Sequence, residues 1–261
     1  MYEVNFFDCN ARIGRANRPE NSIVHTPEGL CEHMDYYRIE KALVYHKEAL
    51  NWPERGNRLL IEQIEGFDRL VGCAVLTPAA SGEFGDIGEY FNFLVSSGIK
   101  AIRLCCNLHQ YTLKPYVLDS VLNQAELHAM PVIIDPVDKD KLTYPHPTWD
   151  YFPDYDSLYG LAKAYPKVNF IQLLPGMTSQ RQQYAILDAC NNVLLELSGF
   201  AYKFIEHVCR IFSAERILFG SCMPYTDSGA MAASIMYADV STEEKQLMAS
   251  GNLERLIAAV K

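Results

Sequence analysis

The sequence of 261 residues lacks several features that would indicate particular classes of protein. It has no C-x-x-C spacing, so its eight cysteines indicate neither a zinc knuckle nor a redox pair. It has no extended basic run, and 23 Lys and Arg against 32 Asp and Glu give a formal charge of −9. Nucleic acids and anionic membranes require clustered basic residues, so neither is an expected partner. We expect a small-molecule partner instead.

Long apolar runs are also missing. None approaches the ~18 residues of a membrane-spanning helix, and the first residues show no basic stretch followed by an apolar one. These observations predict a cytoplasmic protein. With 49% apolar and 21% charged residues, the composition is that of a globular chain and not of a disordered one. The cysteines mostly lie in apolar contexts such as Gly72-Cys73-Ala74, which predicts reduced, buried thiols.

Short apolar runs with β propensity recur along the chain, and segments with helical spacing separate them. The eight predicted strands are Val4–Asp8, Lys41–His46, Leu70–Leu76, Lys100–Leu104, Pro131–Asp135, Asn169–Leu174, Val193–Ser198 and Arg216–Ser221. Because no Pro, Gly or Ser linker divides the chain, we predict an α/β fold, a single (β/α)8 TIM-barrel domain over residues 1–261. An open doubly wound sheet is the alternative, but no G-x-G-x-x-G follows the first strand.

Three local features add to this prediction. A helix is predicted over Val117–His128, whose apolar residues fall on one face. Ser241 to Glu244 form a capping box that opens a helix, and Gly251 is placed to end it. The aromatic-rich segment 136–156 has no regular period. It is either a lid loop over the active site or a contact with a neighbouring subunit.

In a barrel of this kind, chemistry takes place where the strands end. The polar and ionisable residues at or beyond the predicted strand ends include Asn10, Arg12, His46, Arg103, His109, Asp135, Glu196 and Cys222. These residues are the candidates for a site.

Four stretches of the chain resemble the amidohydrolase superfamily, in its amidohydrolase-related (type 2) branch of barrel decarboxylases and lactone hydrolases. They are Asp8–Gly14, Gly98–Leu104, Arg216–Pro224 and Gly251–Leu256. The resemblance implies an enzyme with an amidohydrolase-like TIM-barrel fold, either a hydrolase or a lyase.

The sequence departs from that family at its metal ligands. The usual first-strand pattern is Asp-x-His-x-His-x-Gly, and the two histidine positions are occupied by Asn10 and Arg12. Asp135 and Leu174 stand where the family commonly has histidines, and Cys222 stands where it has an aspartate. Arginine does not bind metals and adds a permanent positive charge. We therefore expect no divalent metal centre and no other cofactor.

A rearranged metal centre is the alternative to a metal-free site. Such a centre would use acceptable ligand types at the presumed strand ends: His46, Asp135 and Cys222, with Glu196 or His109 nearby. No two of these residues have a ligand-like local spacing.

In the metal-free hypothesis, Arg12 and Arg103 bind an anionic substrate as two guanidinium forks. Asn10 hydrogen-bonds the reacting carbonyl, and Cys222 contributes to substrate binding. Each arginine has a structural alternative: an ion pair of Arg103 with Asp135 or Glu196, or a solvent-facing loop position for Arg12.

Proton transfer is assigned to His46 because an imidazole titrates near neutrality, with Asp135 as its orienting partner or as a second acid or base. His109 is the second catalytic candidate. Either histidine could instead be structural. Cys222 could act as a nucleophile only with a lowered pKa, and an inert thiol is the alternative.

The function predicted from these residues is a metal-independent hydrolase or lyase acting on a small carboxylate-bearing substrate, which could be cyclic. Hydrolysis of a lactone or amide comes first and decarboxylation second. The alternative is a non-catalytic pseudoenzyme that binds a small metabolite or a partner protein. By analogy with the family, a homodimer or larger homo-oligomer is expected.

Overall fold

A computed structural model describes residues 4–15, 24–136, 154–173, 180–198, 203–223 and 227–261. Eight parallel strands form one sheet in sequential order, each paired with the next. They are β1 (Phe6–Ile13), β2 (Ile39–His46), β3 (Leu70–Leu76), β4 (Ile99–Leu104), β5 (Val132–Ile134), β6 (Phe170–Gln172), β7 (Val193–Glu196) and β8 (Ile217–Leu218). The N–H of Cys9 in β1 donates to the carbonyl oxygen of Phe219 after β8 at 3.0 Å. The sheet is thus a nearly closed barrel, which confirms the predicted TIM-barrel fold and excludes the doubly wound sheet.

Helices follow the strands around the barrel. They are α1 (Pro27–Tyr37), α2 (Pro53–Ile64), α3 (Ile87–Ser96), α4 (Pro115–Leu127), α5 (Tyr155–Ala164), α6 (Gln180–Ala189), α7 (Phe204–Ile211), α8 (Ser228–Met236), α9 (Thr242–Gln246) and α10 (Asn252–Ala258). Proline opens α1, α2 and α4, where its missing N–H costs no helical hydrogen bond. The helix predicted over Val117–His128 is α4. The capping box of Ser241 and Glu244 opens α9 as predicted.

The apolar side chains form two clusters that follow strand alternation. Inside the barrel lie Phe7, Cys9, Leu43, Tyr45, Cys73, Val75, Ala101, Ile133, Ile171, Leu194 and Leu218, among others. The opposite faces of the strands pack against the helices, and this larger cluster includes Ile13, Val44, Ile102 and Leu195. The side of a strand on which a residue lies therefore decides whether it faces the barrel interior or the helices.

Two local predictions were wrong. The first strand was expected to end at Asp8, but β1 continues to Ile13, so Asn10 and Arg12 lie within the strand. A register shift between Asp8 and Ala11 accommodates these polar residues. Gly251 was expected to end a helix, but its φ is −57° and the chain continues through a π-helical turn (Leu247–Gly251) into α10. The continuation buries Leu253 and Leu256 against the interior cluster, which compensates for the flexibility of glycine.

Other predictions concern segments that lie mostly or wholly outside the described residues. The candidate lid loop is described only at residue 136 and from residue 154 onward, and Leu174 is not described. Across the described ranges, no helix has the length and apolar character needed to cross a membrane. All eight cysteines are free thiols, as expected from their apolar contexts.

Candidate active site

The candidate site lies at the carboxyl ends of the strands, on the inner face of the barrel. Arg12 pairs in register with Tyr45 of β2, and Arg103 with Val75 of β3. Tyr45 and Val75 belong to the interior cluster, so both arginines face inward. Both are fully buried, with 0% exposure. We call this region the barrel mouth; its members are Asn10, Arg12, Arg103, Asp135 and Glu196.

Arg103, on β4, contacts residues of β1 and β2 and the residue that follows β5. Its Nη1 donates to Oδ2 of Asp135 at 2.6 Å, and its Nη2 donates to Oδ1 of Asn10 at 2.9 Å. Its guanidinium carbon lies 3.9 Å from the centre of the Tyr45 ring. Burial lowers the pKa of Arg103, but the Asp135 carboxylate, together with Tyr45, Cys73 and Cys105, raises it, and the net shift is upward. Arg103 therefore makes the ion pair with Asp135 that the sequence left as an alternative to anion binding.

His46 lies on the outer side of β2. It pairs in register with Ile13, which belongs to the cluster between strands and helices. Its Nδ1 accepts a hydrogen bond from the backbone N–H of Glu48 at 3.1 Å. Burial lowers the pKa of His46; the Glu48 carboxylate opposes this shift, and the Arg12 guanidinium adds to it. The neutral ring must then carry its proton on Nε2, because an acceptor nitrogen is unprotonated. With its lone pair already engaged, His46 can donate a proton but is poorly placed to accept one.

His109 lies in the loop after β4, and its lone pair is available. Its Nε2 lies 2.9 Å from the carbonyl oxygen of Leu50, a contact that only a protonated Nε2 can make. In the neutral ring Nδ1 then carries no proton, and it is buried with no hydrogen-bond partner among the described residues. The ring stacks on Tyr111 at 6.4 Å between centroids. His109 rather than His46 has the nitrogen that could accept a proton.

Two buried carboxylates hold the barrel mouth together. Asp8 accepts hydrogen bonds from the backbone N–H and the hydroxyl of Ser221, linking β1 to the segment after β8. Glu196 accepts from the backbone N–H of Ser198 at 3.0 Å and from its hydroxyl at 2.6 Å. Gly220 leaves the space that Glu196 occupies, since a Cβ there would overlap the Glu196 side chain. The sequence placed these acids at strand ends but did not indicate their serine partners.

Lys47 is a residue that the sequence analysis missed. It directly follows β2, begins the 3-10 turn Lys47–Leu50, and is only 4% exposed. Buried lysines are rare unless a partner compensates their charge. The available signal was a basic residue immediately after an apolar strand, at the end of the barrel where chemistry is expected.

The thiols near the barrel mouth lie in unreactive surroundings. Burial, with the Glu196 and Asp8 carboxylates nearby, raises the pKa of the Cys9 thiol well above its ordinary value. Burial raises the pKa of Cys73 to about 11. Cys222 is buried and has a φ of 55°, a left-handed conformation that is unusual for cysteine. It follows β8 and belongs to the apolar cluster inside the barrel, and its role in substrate binding stays a prediction.

No rearranged metal centre is evident in the part of the chain that the structure describes. Within it, no three His, Cys, Asp or Glu side chains come together in a way that could hold a metal ion. His46, Asp135 and Cys222, proposed for such a centre, are all described. His46 faces away from the barrel interior, whereas Asp135 is engaged by Arg103.

Comparisons with known proteins agree with this architecture. The amidohydrolase family Amidohydro_2 matches residues 43–258. No curated protein shows significant sequence similarity to the chain. An uncharacterized TIM-barrel protein from Bordetella bronchiseptica is 15% identical, with 98% of this chain and 99% of that chain covered and a TM-score of 0.74.

Two decarboxylases of known structure are also similar. The 2,6-dihydroxybenzoate decarboxylase from Rhizobium is 14% identical, with 99% of each chain covered and a TM-score of 0.74. The 5-carboxyvanillate decarboxylase from Novosphingobium aromaticivorans, solved with manganese and 4-hydroxy-3-methoxy-5-nitrobenzoic acid, is 14% identical. The alignment covers 98% of this chain and 96% of that decarboxylase, with a TM-score of 0.77. At these identities the similarity shows a shared fold.

Proposed function

The chain belongs to the amidohydrolase family Amidohydro_2, and from this premise we propose that it is an enzyme acting on a small carboxylate-bearing substrate in the barrel mouth. One observation carries the proposal: two buried cationic side chains, Arg12 and Lys47, lie at the adjacent ends of β1 and β2. Their positive charges lie together at the carboxyl ends of two neighbouring strands, so this end of the barrel would attract an anionic substrate such as a carboxylate.

Arg12 is the proposed anion-binding residue. Its planar guanidinium faces the barrel interior and can form two parallel hydrogen bonds with a carboxylate. Arg103 is engaged with Asp135 and Asn10 and is assigned a positioning role. The hydrogen bond from Arg103 also fixes the orientation of the Asn10 amide. Oδ1 accepts from Arg103, so Nδ2 is the side-chain atom that can donate. Asn10 could then donate to a carbonyl or hydroxyl of the substrate.

Decarboxylation is the leading reaction and hydrolysis the second. Hydrolysis without a metal requires a side chain that deprotonates water, and it also loses the electrostatic stabilisation that a metal ion supplies. The His46 lone pair is engaged by Glu48 and the Asp135 carboxylate by Arg103, which leaves His109 as the candidate base for that reaction. In decarboxylation, the bond between the substrate carbon and its carboxylate breaks, CO2 leaves, and a proton is added to the carbon that retains the electron pair. His109 is the proposed carrier of that proton, because its Nδ1 is an imidazole nitrogen with no hydrogen-bond partner among the described residues. The names of two structurally similar proteins support the same choice.

The residues present do not fit a divalent metal such as the manganese with which the 5-carboxyvanillate decarboxylase was solved. The oxygens of Asp135 and Asn10 accept hydrogen bonds from Arg103, and Arg12 adds a second positive charge. A cation would have to displace Arg103 from Asp135 and bind among like charges. We therefore propose that the reaction proceeds without a bound divalent metal.

Chelation is expected to leave the activity unchanged. Protein expressed with zinc and manganese available should contain far less than one metal ion per chain, and dialysis against a chelator should not change kcat. Elemental analysis and turnover before and after chelation provide the measurement. Near-stoichiometric metal whose removal abolishes turnover would contradict a metal-free mechanism.

Removing the Arg12 charge is expected to weaken substrate binding. Arg12→Gln should raise the KM of an accepted carboxylic acid about tenfold or more, since a hydrogen bond to a charged group contributes roughly 1.5–3 kcal/mol. Arg181→Gln is the matched control, because Arg181 lies on the exposed surface of α6. CO2 release from a panel of small carboxylic acids, including 2,6-dihydroxybenzoate, identifies the substrate. Equal KM values for the two variants would argue against the role of Arg12.

A non-catalytic binding protein is the second candidate. The observation that favours it is that Asp8, Glu196 and Asp135 each have a protein partner in the barrel mouth. Thermal stabilisation by small acids without turnover of any of them would support this candidate, because a ligand that binds the folded state raises its stability.

A further inference from the structure

We propose that a cleft outside the barrel mouth, between the end of β2 and the start of α1, is a second binding site and takes a small carboxylate. The cleft has a volume of about 440 Å³, within the range of small-molecule sites. Its lining residues are Gly14, Arg15, His25, Thr26, Pro27, Glu28, His46 and Gln63. It is separate from the barrel mouth because His46 faces the helices and not the barrel interior.

The local backbone keeps the cleft open. Gly14 has a φ of 86°, and a Cβ there would lie 2.9 Å from both Nε2 and Cε1 of His46. A side chain at this position would therefore displace the imidazole edge that lines the cleft. The N–H of Gly14 donates to the carbonyl oxygen of His25 at 2.8 Å, which joins the two walls. Glycine is therefore favoured at position 14 for two reasons: the positive φ, and the lack of space for a Cβ next to His46.

His46 supplies a donor that lacks an acceptor. Its side chain is only 7% exposed, and its Nδ1 is engaged by the Glu48 N–H, so the neutral ring carries a proton on Nε2. Nε2 makes no hydrogen bond to a described residue, and the ring lines the cleft. This nitrogen is not fully buried, so its N–H is open to the cleft. A ligand oxygen in the cleft would satisfy this N–H.

The same tautomer excludes a metal ion at this nitrogen. A metal binds an unprotonated imidazole nitrogen, so a metal at Nε2 would require the ring proton to be on Nδ1. That proton would point directly at the backbone N–H of Glu48, which now donates to Nδ1. The ligand must therefore provide an acceptor atom.

The surrounding charges favour an anionic acceptor. Arg15 lines the cleft, and the N-terminal end of α1, with its positive dipole end, opens into it. The Arg12 guanidinium, on the barrel side, adds positive charge near His46 and contributes to lowering the pKa of His46. Two carboxylates oppose these charges: Glu28 lines the cleft, and Glu48 lies behind His46, 3.7 Å from Arg55. A carboxylate is thus favoured by Arg15 and His46 and opposed mainly by Glu28.

The test uses acetate as the probe, with inorganic phosphate as a second anion, in NMR titrations that monitor the His46 Nε2 and Arg15 Nε resonances. His46→Asn removes the Nε2 donor while an amide oxygen can still accept from Glu48, and Arg15→Gln removes the charge on an exposed residue. Each variant should weaken acetate binding about tenfold, whereas Glu28→Gln should strengthen it. Arg181→Gln, on the exposed surface of α6, is the control and should change nothing.

The variants separate this proposal from its competitors. Acetate binding that is unchanged by Arg15→Gln and weakened by Glu28→Gln would overturn the carboxylate site. Tighter binding of phosphate than of acetate, with the same dependence on His46 and Arg15, would reassign the ligand and overturn the choice of carboxylate. If His46→Asn does not fold, Arg15→Gln and Glu28→Gln still decide the outcome.

Discussion

Replacing Arg103 with methionine is expected to destabilise the fold by about 3–5 kcal/mol, the cost of leaving a buried charge without its partner. Asp135 would retain its carboxylate at 3% side-chain exposure and lose the guanidinium 2.6 Å away. Oδ1 of Asn10 would also lose the hydrogen bond that Nη2 of Arg103 donates to it. Urea denaturation monitored by circular dichroism should show a large fall in the free energy of unfolding.

Two further variants distinguish the lost ion pair from lost packing volume. The double variant Arg103→Met with Asp135→Leu removes both charges, so it should regain most of the stability lost in the single variant. Asp35→Ala breaks an exposed ion pair of the same length, with Arg69, and should cost less than the buried variant. A double variant as unstable as Arg103→Met would show that packing, and not the loss of the Arg103–Asp135 ion pair, causes the loss.

Lysine is a further test of geometry at this position. Arg103→Lys keeps the positive charge, but a single ammonium group lacks the planar fork that bonds Asp135 and Asn10 together. We expect intermediate stability and a loss of activity, because Asn10 would no longer be held in position. The barrel mouth thus depends on the shape of the guanidinium as well as on its charge.

The fold could be predicted from the sequence because eight apolar runs alternate with helical segments, and this pattern survives errors of a few residues at strand ends. The site could be predicted only in part. Asn10 and Arg12 were placed after β1 because polar residues interrupt the apolar pattern, yet the strand continues through them. Strand boundaries decide which residues share a face, so this error affects the site more than the fold.

The orientation of His46 shows the same limit. The sequence placed it correctly at the end of β2, but a shift of one residue in register would exchange the interior and exterior faces. The structure pairs it with Ile13 and directs it away from the barrel mouth. The partner of Arg103 was also undecided from sequence, because Asp135 and Glu196 lie on different strands and only the closed barrel selects Asp135.

The second large effect is expected from Gly56→Ala. Gly56 lies inside α2, where alanine normally stabilises a helix by about 0.5–1 kcal/mol relative to glycine. Here a Cβ would overlap the backbone N and Cα of Ala49 in the 3-10 turn Lys47–Leu50. Backbone atoms cannot move aside as a flexible side chain can, so we expect a loss of about 1–3 kcal/mol or more.

Gly160→Ala provides the matched control for this effect. Gly160 is also inside a helix, α5, but a Cβ there would meet no atom within 4 Å. Alanine should therefore stabilise the protein by about 0.5–1 kcal/mol. Opposite signs of the two changes in urea denaturation would assign the cost at Gly56 to the contact with Ala49. A stabilising effect at both positions would contradict the close packing of α2 against the turn.

The consequence of Gly56→Ala should extend to the barrel mouth, because the turn that it displaces supports two site residues. Lys47 begins that turn, and the carbonyl oxygen of Leu50 at its end lies 2.9 Å from Nε2 of His109. If the turn shifts, His109 loses the contact that fixes its tautomer, and Nδ1 is no longer held as the acceptor nitrogen. We therefore expect kcat to fall in Gly56→Ala at temperatures where the variant is still folded, with no such fall in Gly160→Ala. Unchanged kcat in folded Gly56→Ala would indicate that His109 acts independently of this turn or does not carry the proton.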